Sequence, residues 1–351
     1  MELRVQEVGI RLAQPMRAAW GEVSERRMLL VELEDGEGLV GRGEAAPLEP
    51  YDGVSLARCR EALEACRRAL RDVRDGSGAA ALEACRAVTD LPHALAAIDL
   101  ALWDRASFRE DRSVASMLAE DPANWVPVNA MIGAVDPDEA ADRAGEAADA
   151  GFETVKLKVG LEDDEARLRA VRDAVGPDVA LRLDANGAWS TGEALSAIAT
   201  LSPYGVELVE EPVHGIEDLR TIRDRLPVRV AMDETADEPG AIASGAADAV
   251  VLKVGRSGGI GGLLARATLA RSTRADVLLA STWDGPLGVA AAVHAAAALR
   301  LRDACGLATL SMFEPAALDA VGIGDTSLGD LAVRLIAKDG TISVPRTPGL
   351  V

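Results

Sequence analysis

The stretch ETVKLKVG, residues 153–160, sets Lys156 and Lys158 two positions apart in an otherwise apolar run. In an extended chain, period two sends both amines to one side and Val155 and Leu157 to the other. A half-exposed strand with a solvated lysine face satisfies the pattern, and for KxK standing alone that is the ordinary reading. The neighbouring sequence argues against it. From residue 125 onward, short apolar runs alternate with Ala-, Glu- and Arg-rich helical stretches: VPVNAMI, TVKLKV, VALRLDAN, GVELVEEP, VRVAMDE, DAVVLKV, DVLLAST and GLATLSM. Strand-and-helix units of roughly 25–30 residues, repeated eight times, fit an α/β fold of the (β/α)8 barrel type better than an open sheet. Helices then cover the outside of each strand, so Val155 and Leu157 face them and both lysines face the barrel mouth.

Upstream, ELRVQEVGIRL, RMLLVELED and GLVGRGEAA read as strands, with a turn signal at EDGEG. LARCREALEACRRALRDV and LPHALAAIDLALWDRASF follow with helical spacing of apolar residues. The expected organisation is an α+β capping domain over 1–120, completed by 321–351, and a catalytic barrel over 121–320. The 351 residues and 49% apolar content suffice for both cores.

Fifty-seven acidic residues against 37 Lys and Arg give a formal net charge of −20, which repels nucleic-acid phosphates and anionic lipid. Neither nucleic acid nor membrane is expected as a partner. A small-molecule carboxylate would need a local cationic pocket, which the paired lysines supply. Cys59, Cys66, Cys85 and Cys305 lack metal-ligand spacing and read as reduced thiols of a cytoplasmic protein. The N-terminus carries no export pattern, and no run of 18 uncharged apolar residues occurs. A homo-oligomer is compatible with all of this.

The strand ends after Lys158 carry the chemistry. Asp184 closes LRLDAN, Glu210 and Glu211 close VELVEE, Asp233 and Glu234 close RVAMDE, and Lys253 lies in VVLKVG. Their spacing is close to one barrel unit each, so Lys, Asp, Glu, Asp and Lys arrive at one rim. Three neighbouring carboxylates repel one another unless a cation binds them, and an all-oxygen set suits Mg²⁺, with Mn²⁺ able to substitute, rather than zinc. A lysine on either side of such an ion is the arrangement for removing a proton next to a carboxylate: the ion stabilises the enediolate and one amine is the base. Strand parity lets only one of the adjacent glutamates point fully inward, and Glu210 is taken as the ligand with Glu211 behind it, as Glu234 is behind Asp233.

VPVNAMIG, KLKVG, RLDANGAW, VEEP, MDE and LKVGRSGGI together resemble the successive barrel signatures of the enolase superfamily, muconate lactonizing enzyme subgroup. GRGEAAP and AIDLALWD resemble its capping domain and the helix leading into its barrel, so the resemblance spans nearly the whole chain. It implies Mg²⁺ on Asp184, Glu210 and Asp233, with Lys158 and Lys253 as acid or base. It also implies that Lys156 holds the substrate carboxylate and that Asn186 sits beside the metal.

Within the subgroup, dipeptide epimerases usually carry a DxD pair after the last barrel strand, which CGLATLSMFEP lacks. ACGLAT is similar to that region of actinobacterial o-succinylbenzoate synthases. The implied reaction is a lyase step of menaquinone biosynthesis, the syn-dehydration of 2-succinyl-6-hydroxy-2,4-cyclohexadiene-1-carboxylate. The alternative is an N-acylamino acid racemase or dipeptide epimerase with Lys158 and Lys253 as opposed bases, since GRGEAAPLEPYDGVS resembles those members as well. Ser281 and Thr282 are candidate donors to substrate oxygens, or else caps of the next helix. Trp20, Tyr51 and Asp52 are candidate pocket walls from the capping region. A non-catalytic ligand-binding barrel would have lost one of the lysines or acids, and none is missing. His93, His214 and His294 show no HxxxH or triad partner, and GRSGGIGG lacks the ending of a phosphate loop.

Overall fold

The computed structural model describes residues 1–18, 21–73 and 77–351. Strands β1 (Glu2–Ala18), β2 (Gly21–Glu34) and β3 (Val40–Ala45) form an antiparallel sheet in the order β1-β2-β3. Helices α1 (Glu49–Asp52), α2 (Leu56–Leu70), α3 (Gly78–Arg86), α4 (Pro92–Glu110) and α5 (Val114–Leu118) follow, and α6 (Pro137–Asp149), α7 (Asp164–Val175), α8 (Thr191–Leu201) and α9 (Ile216–Arg225) belong to the barrel beyond them. β3 lies directly on α4 because Gly41 and Gly43 present no side chain there. A Cβ on Gly41 would stand 1.9 Å from the Ala101 carbonyl oxygen, and one on Gly43 2.2 Å from that of Ala97.

The barrel strands are β5 (Ala130–Ile132), β6 (Thr154–Lys158), β7 (Ala180–Asp184), β8 (Val206–Glu210), β9 (Arg229–Met232), β10 (Ala249–Leu252) and β11 (Asp276–Leu279), joined in that order in one parallel, curled sheet. The expected eighth strand is reduced to isolated parallel bridges, Ala280 to Gly306 and Val128 to Cys305, which link the two edges. The run VPVNAMI also divides. Its first part, β4 (Trp125–Pro127), pairs antiparallel with Thr341–Ser343 from the C-terminal tail, and only Ala130–Ile132 joins the barrel. The chain after β9 forms 3₁₀ turns at Glu234–Asp237 and Ile242–Ser244 where a regular unit would place a helix.

Two carboxylates of the N-terminal part enter the N-termini of barrel helices, where free N–H groups and the helix dipole favour negative charge. Asp99, on α4, accepts from the Ile260 N–H at 2.6 Å, at the start of α10 (Ile260–Ser272). Glu44, ending β3, accepts from the Leu287 N–H at 3.2 Å, at the start of α11 (Pro286–Leu299). Gly259 and Gly285 leave room for them; a Cβ would lie 2.3 Å from Asp99 Oδ2 and 2.6 Å from Glu44 Oε2. Asp104, further along α4 than Asp99, accepts from the Arg42 and Leu350 N–H groups and so ties β3 and the C-terminus to α4.

Burial first, then the neighbouring Asp284 carboxylate, pushes the Glu44 carboxyl up to about 8, against the pull of the helix N–H groups. The unfolded chain releases that proton near the ordinary glutamate value, so between about pH 4.5 and 8 the folded state holds a proton the unfolded state has lost. The Glu44 contribution to stability therefore falls as pH rises through this window. Glu44→Gln is expected to remove this pH dependence, so that urea midpoints of variant and parent diverge progressively from pH 5 to pH 8. Parallel pH profiles would contradict this.

Candidate active site

The register of the parallel sheet places the functional side chains side by side. Lys158 pairs with Asp184 across β6 and β7, and Asp184 with Glu210 across β7 and β8. Asp233 lies just past β9, and Lys253 just past β10. Lys156, Lys158, Asp184, Asn186, Glu210, Asp233 and Lys253 all line a single cavity, with Tyr51, Ser281 and Thr282 on its walls. Its void is about 550 Å³ counted out to the open mouth.

The amines and carboxylates interleave. Lys156 Nζ donates to Glu210 Oε1 at 3.0 Å and lies 2.9 Å from Asp184 Oδ2, while Lys158 Nζ donates to Asp184 Oδ2 at 2.7 Å and to Asn186 Oδ1 at 2.6 Å. Lys253 pairs with Asp233 Oδ1 and donates to the Tyr51 hydroxyl at 2.9 Å. That hydroxyl donates to Asp233 Oδ2 at 2.8 Å, and Arg256 Nη1 donates to it at 2.9 Å. The Lys253 and Arg256 cations each stand 5.1 Å from the Tyr51 ring centre.

Burial and these pairings pull in opposite directions. Burial alone would raise the Asp184 carboxyl, but Lys156 and Lys158 outweigh it and hold it below the usual carboxylate range. Asp233 is likewise lowered, by Lys253 and Arg256 against burial. Glu210 ends at about 7: burial pushes it up, Lys156 resists, and Asp184 and Asp233 add repulsion. Burial would lower the Lys156 amine, yet Asp184 and Glu210 keep it raised.

The donor chemistry of Asp184, Glu210 and Asp233 suits a hard dication, being all carboxylate, buried and crowded. The three are not gathered into a cage, however. Among the described residues no three His, Cys, Asp or Glu side chains are grouped as a cation holder. Lysine ammoniums stand between them, neutralising the charge that an ion would otherwise neutralise.

Glu211 takes the supporting place. It has φ +40°, which turns its fully buried side chain under β9. There it accepts from the Asp233 N–H at 2.6 Å, the Thr235 N–H at 2.9 Å and the Thr235 hydroxyl, and contacts His214 Nδ1 at 3.0 Å. Glu234 accepts from Asn186 Nδ2 at 2.9 Å, which aims the Asn186 oxygen at Lys158. Ser281 Oγ accepts from the Asp284 N–H at 2.8 Å, a bond within the turn ahead of α11 and not a cap of that helix, whose N-cap is Gly285, while also facing the cavity. Asp52 turns away, to the Leu48 and Val54 N–H groups and His93. Trp20 lies outside the described residues. Asn129, Met131, Trp283 and Thr309 also line the cavity and had not been singled out, nor had Arg256 beside it. One signal would have pointed at the amines directly: the chain has four lysines in all, and three of them are Lys156, Lys158 and Lys253.

Replacing Glu211 by leucine strips acceptors from two buried N–H groups and a hydroxyl. A loss of about 1–3 kcal/mol per unpaired group is expected, read as a lower urea midpoint, with Glu211→Gln recovering part of it. A leucine variant as stable as the parent would show that these bonds do not hold the β9 end.

Comparison with known proteins agrees with this architecture. Residues 1–119 match the family model of the mandelate racemase / muconate lactonizing enzyme N-terminal domain, and residues 139–350 that of the enolase C-terminal domain-like fold. The hydrophobic dipeptide epimerase of Enterococcus faecalis is 31% identical over 311 residues, covering 85% of this chain and 86% of that protein. The o-succinylbenzoate synthase of Thermobifida fusca is 41% identical over 197 residues, which is 53% of this chain and 60% of that one. The crystal structure of the dipeptide epimerase from Enterococcus faecalis, complexed with Mg and the dipeptide L-Leu-L-Tyr, superposes with a TM-score of 0.88 at 28% identity, covering 99% of this chain and 98% of that chain. The capping sheet, the parallel half-barrel closed by bridges and the matches over both parts lead to one conclusion: the chain belongs to the enolase superfamily, in its mandelate racemase / muconate lactonizing enzyme group.

Proposed function

We propose that this enzyme removes the proton next to a carboxylate and that its reaction is the o-succinylbenzoate synthase dehydration. The observation that carries the first step is the placement of Lys158 and Lys253 on the second and sixth barrel strands, lining one cavity with three carboxylates between them. Asp184, Glu210 and Asp233 would hold one Mg²⁺, with Mn²⁺ able to replace it. When bound, the ion polarises the substrate carboxylate and so makes its α-proton acidic. Lys156, which lies between Asp184 and Glu210, would pair with the substrate carboxylate. Lys158, aimed by Asn186, takes the α-proton. It returns that proton to the departing hydroxide on the same face, so the C–O bond breaks and water leaves. Lys253 stays beside Tyr51 as a fixed positive group facing the ring.

Two features support dehydration of a substrate without an ammonium end. The wall built by the seventh strand end and the closing segment is neutral, formed by Ser281, Thr282, Gly306, Ala308 and Thr309. The higher identity, 41%, is with the Thermobifida fusca synthase. This reading assigns the chain to menaquinone biosynthesis in the cytoplasm. A second reading rests on a specific observation as well: the match to the Enterococcus faecalis epimerase spans both domains. In it, Lys158 and Lys253 serve opposite faces of one α-carbon and the product is the epimer.

The deciding experiment incubates the Mg²⁺-supplemented enzyme with the cyclohexadiene substrate, following loss of its ultraviolet absorbance. A parallel set in D₂O scores α-deuteration of N-succinyl amino acids and dipeptides. Turnover of the diene without exchange is expected; exchange without diene turnover would replace dehydration by racemisation. Lys158→Ala should lower either rate by about 10²–10⁴-fold while far-UV circular dichroism stays unchanged. Chelation with EDTA should abolish activity and Mg²⁺ restore it; full activity in EDTA would remove the metal from the proposal.

A further inference from the structure

Tyr51 reaches the cavity on a single turn of helix, and what holds that turn lies behind it. Asp52 Oδ2 accepts from the Leu48 N–H and Asp52 Oδ1 from the Val54 N–H, both at 2.8 Å. One carboxylate thus closes both ends of α1, making the turn a small rigid body. A rigid body still needs an anchor. His93 Nε2 lies 3.1 Å from Asp52 Oδ2, and the two side chains are only 6% and 3% exposed. His93 Nδ1 is buried without a hydrogen-bond partner, so the polar engagement of this imidazole goes to Asp52.

His93 belongs to the first turn of α4, the helix that Asp99 fastens to the start of α10. Its ring also abuts the loop after β10, where a Cβ on Gly255 would come within 3.4 Å of His93 Cδ2. A helix docked on the barrel therefore carries, at its tip, the group that grips the Tyr51 turn. We infer that His93 is a positioning residue: through its bond to Asp52 it seats the Tyr51 hydroxyl on Asp233 and Lys253. A buried bond to a charged acceptor is worth enough to keep the turn docked, and an apolar side chain of similar size would fill the space without gripping it. The inference concerns the geometry of the mouth and rests on the proposed reaction only in its kinetic arm.

The chain has two tyrosines, Tyr51 and Tyr204, so a Tyr204→Phe parent labelled with 3-fluorotyrosine reports on Tyr51 alone. Its fluorine resonance should lie well away from the position in urea and remain single. In His93→Leu, a released population is expected to grow about tenfold or more, seen as a second resonance or a shift toward the urea position. His93→Gln, whose amide can donate to Asp52, should restore the parent spectrum. With the active substrate identified, KM should rise in His93→Leu and recover in His93→Gln. A folded His93→Leu protein with the parent fluorine shift overturns the inference, as does a glutamine variant indistinguishable from leucine. Should His93→Leu fail to fold, His93→Met carries the test: its flexible thioether fills the space without an N–H to donate to Asp52, and an unchanged Tyr51 resonance would refute the role. The fluorine readout requires no substrate, so it stands or falls independently of the dehydration.

Discussion

Three carboxylates buried side by side at one end of a parallel sheet are the constraint around which this molecule is arranged. Parallel register puts Asp184 beside Glu210, with Asp233 on the following strand end, and burial denies them the water that would screen their repulsion. Positive charge must be interleaved, and the same register brings Lys158 level with Asp184. The choice of lysine is informative in a chain where nearly all other side-chain cations are arginine. Guanidinium remains charged under all working conditions, whereas an amine can give up or take a proton and can release one carboxylate for another partner. Arginine appears instead where only a permanent donor is needed, as at Arg26, buried and bonded to the carbonyls of Ala46, Pro47 and Trp283.

The second layer of organisation joins the capping part to that rim. Glu44 and Asp99 each occupy the N-terminus of a barrel helix, and those two helices follow the strands that end near Lys253 and Ser281. The helices thereby gain acceptors for orphan N–H groups, and the capping part gains two fixed points on the barrel. Tyr51 follows from that docking, because α1 leads directly on from β3 and Glu44. Backbone conformations at the rim serve the same end. Asn186, Glu211 and Trp283 are left-handed, each within a few residues of a strand end, where such strain is tolerated only if the surroundings over-determine it. At Glu211 the surroundings are visible, since the turn is what delivers the carboxylate to two backbone N–H groups of the next strand end.

The parts of this arrangement that were legible in the sequence are those written in local period. KxK alternation, the acids closing successive apolar runs and the spacing of one barrel unit gave the fold class and the residues that meet in the cavity. What escaped depends on partners distant in sequence or on structure reduced below the length of a pattern. The closing strand amounts to bridges at Cys305 and Gly306, too short to leave an alternation, and VPVNAMI divides because its first half is claimed by a tail more than 200 residues away. GRGEAAP and AIDLALWD were recognisable as patterns, but their physical content was not. Gly43 makes room for a helix carbonyl, while Glu44 and Asp99 reach helices whose sequence lies 161 residues or more downstream. Arg256 sat inside a quoted motif, and nothing in its spacing said that it would close over a capping-domain tyrosine.

Substrate choice rests on a different kind of surface from the catalytic set. In the proposed reaction the amines and acids recognise a carboxylate with an adjacent proton, which many molecules possess. Discrimination would then fall to the neutral wall at Ser281, Thr282 and Thr309 and to the Tyr51 turn, which line the same cavity. Neutral hydroxyls separate apolar chains weakly, since an added or missing methylene changes binding by only about 1–3 kcal/mol. They act far more strongly against a charged end. An ammonium brought to this wall must shed its water, and Asp184, Glu210 and Asp233 are each already paired with a lysine, so the desolvation goes uncompensated. On the proposed dehydration, selection by this cavity is therefore chiefly exclusion of the wrong charge, and finer distinctions come from how firmly the capping turn is seated over the bound molecule.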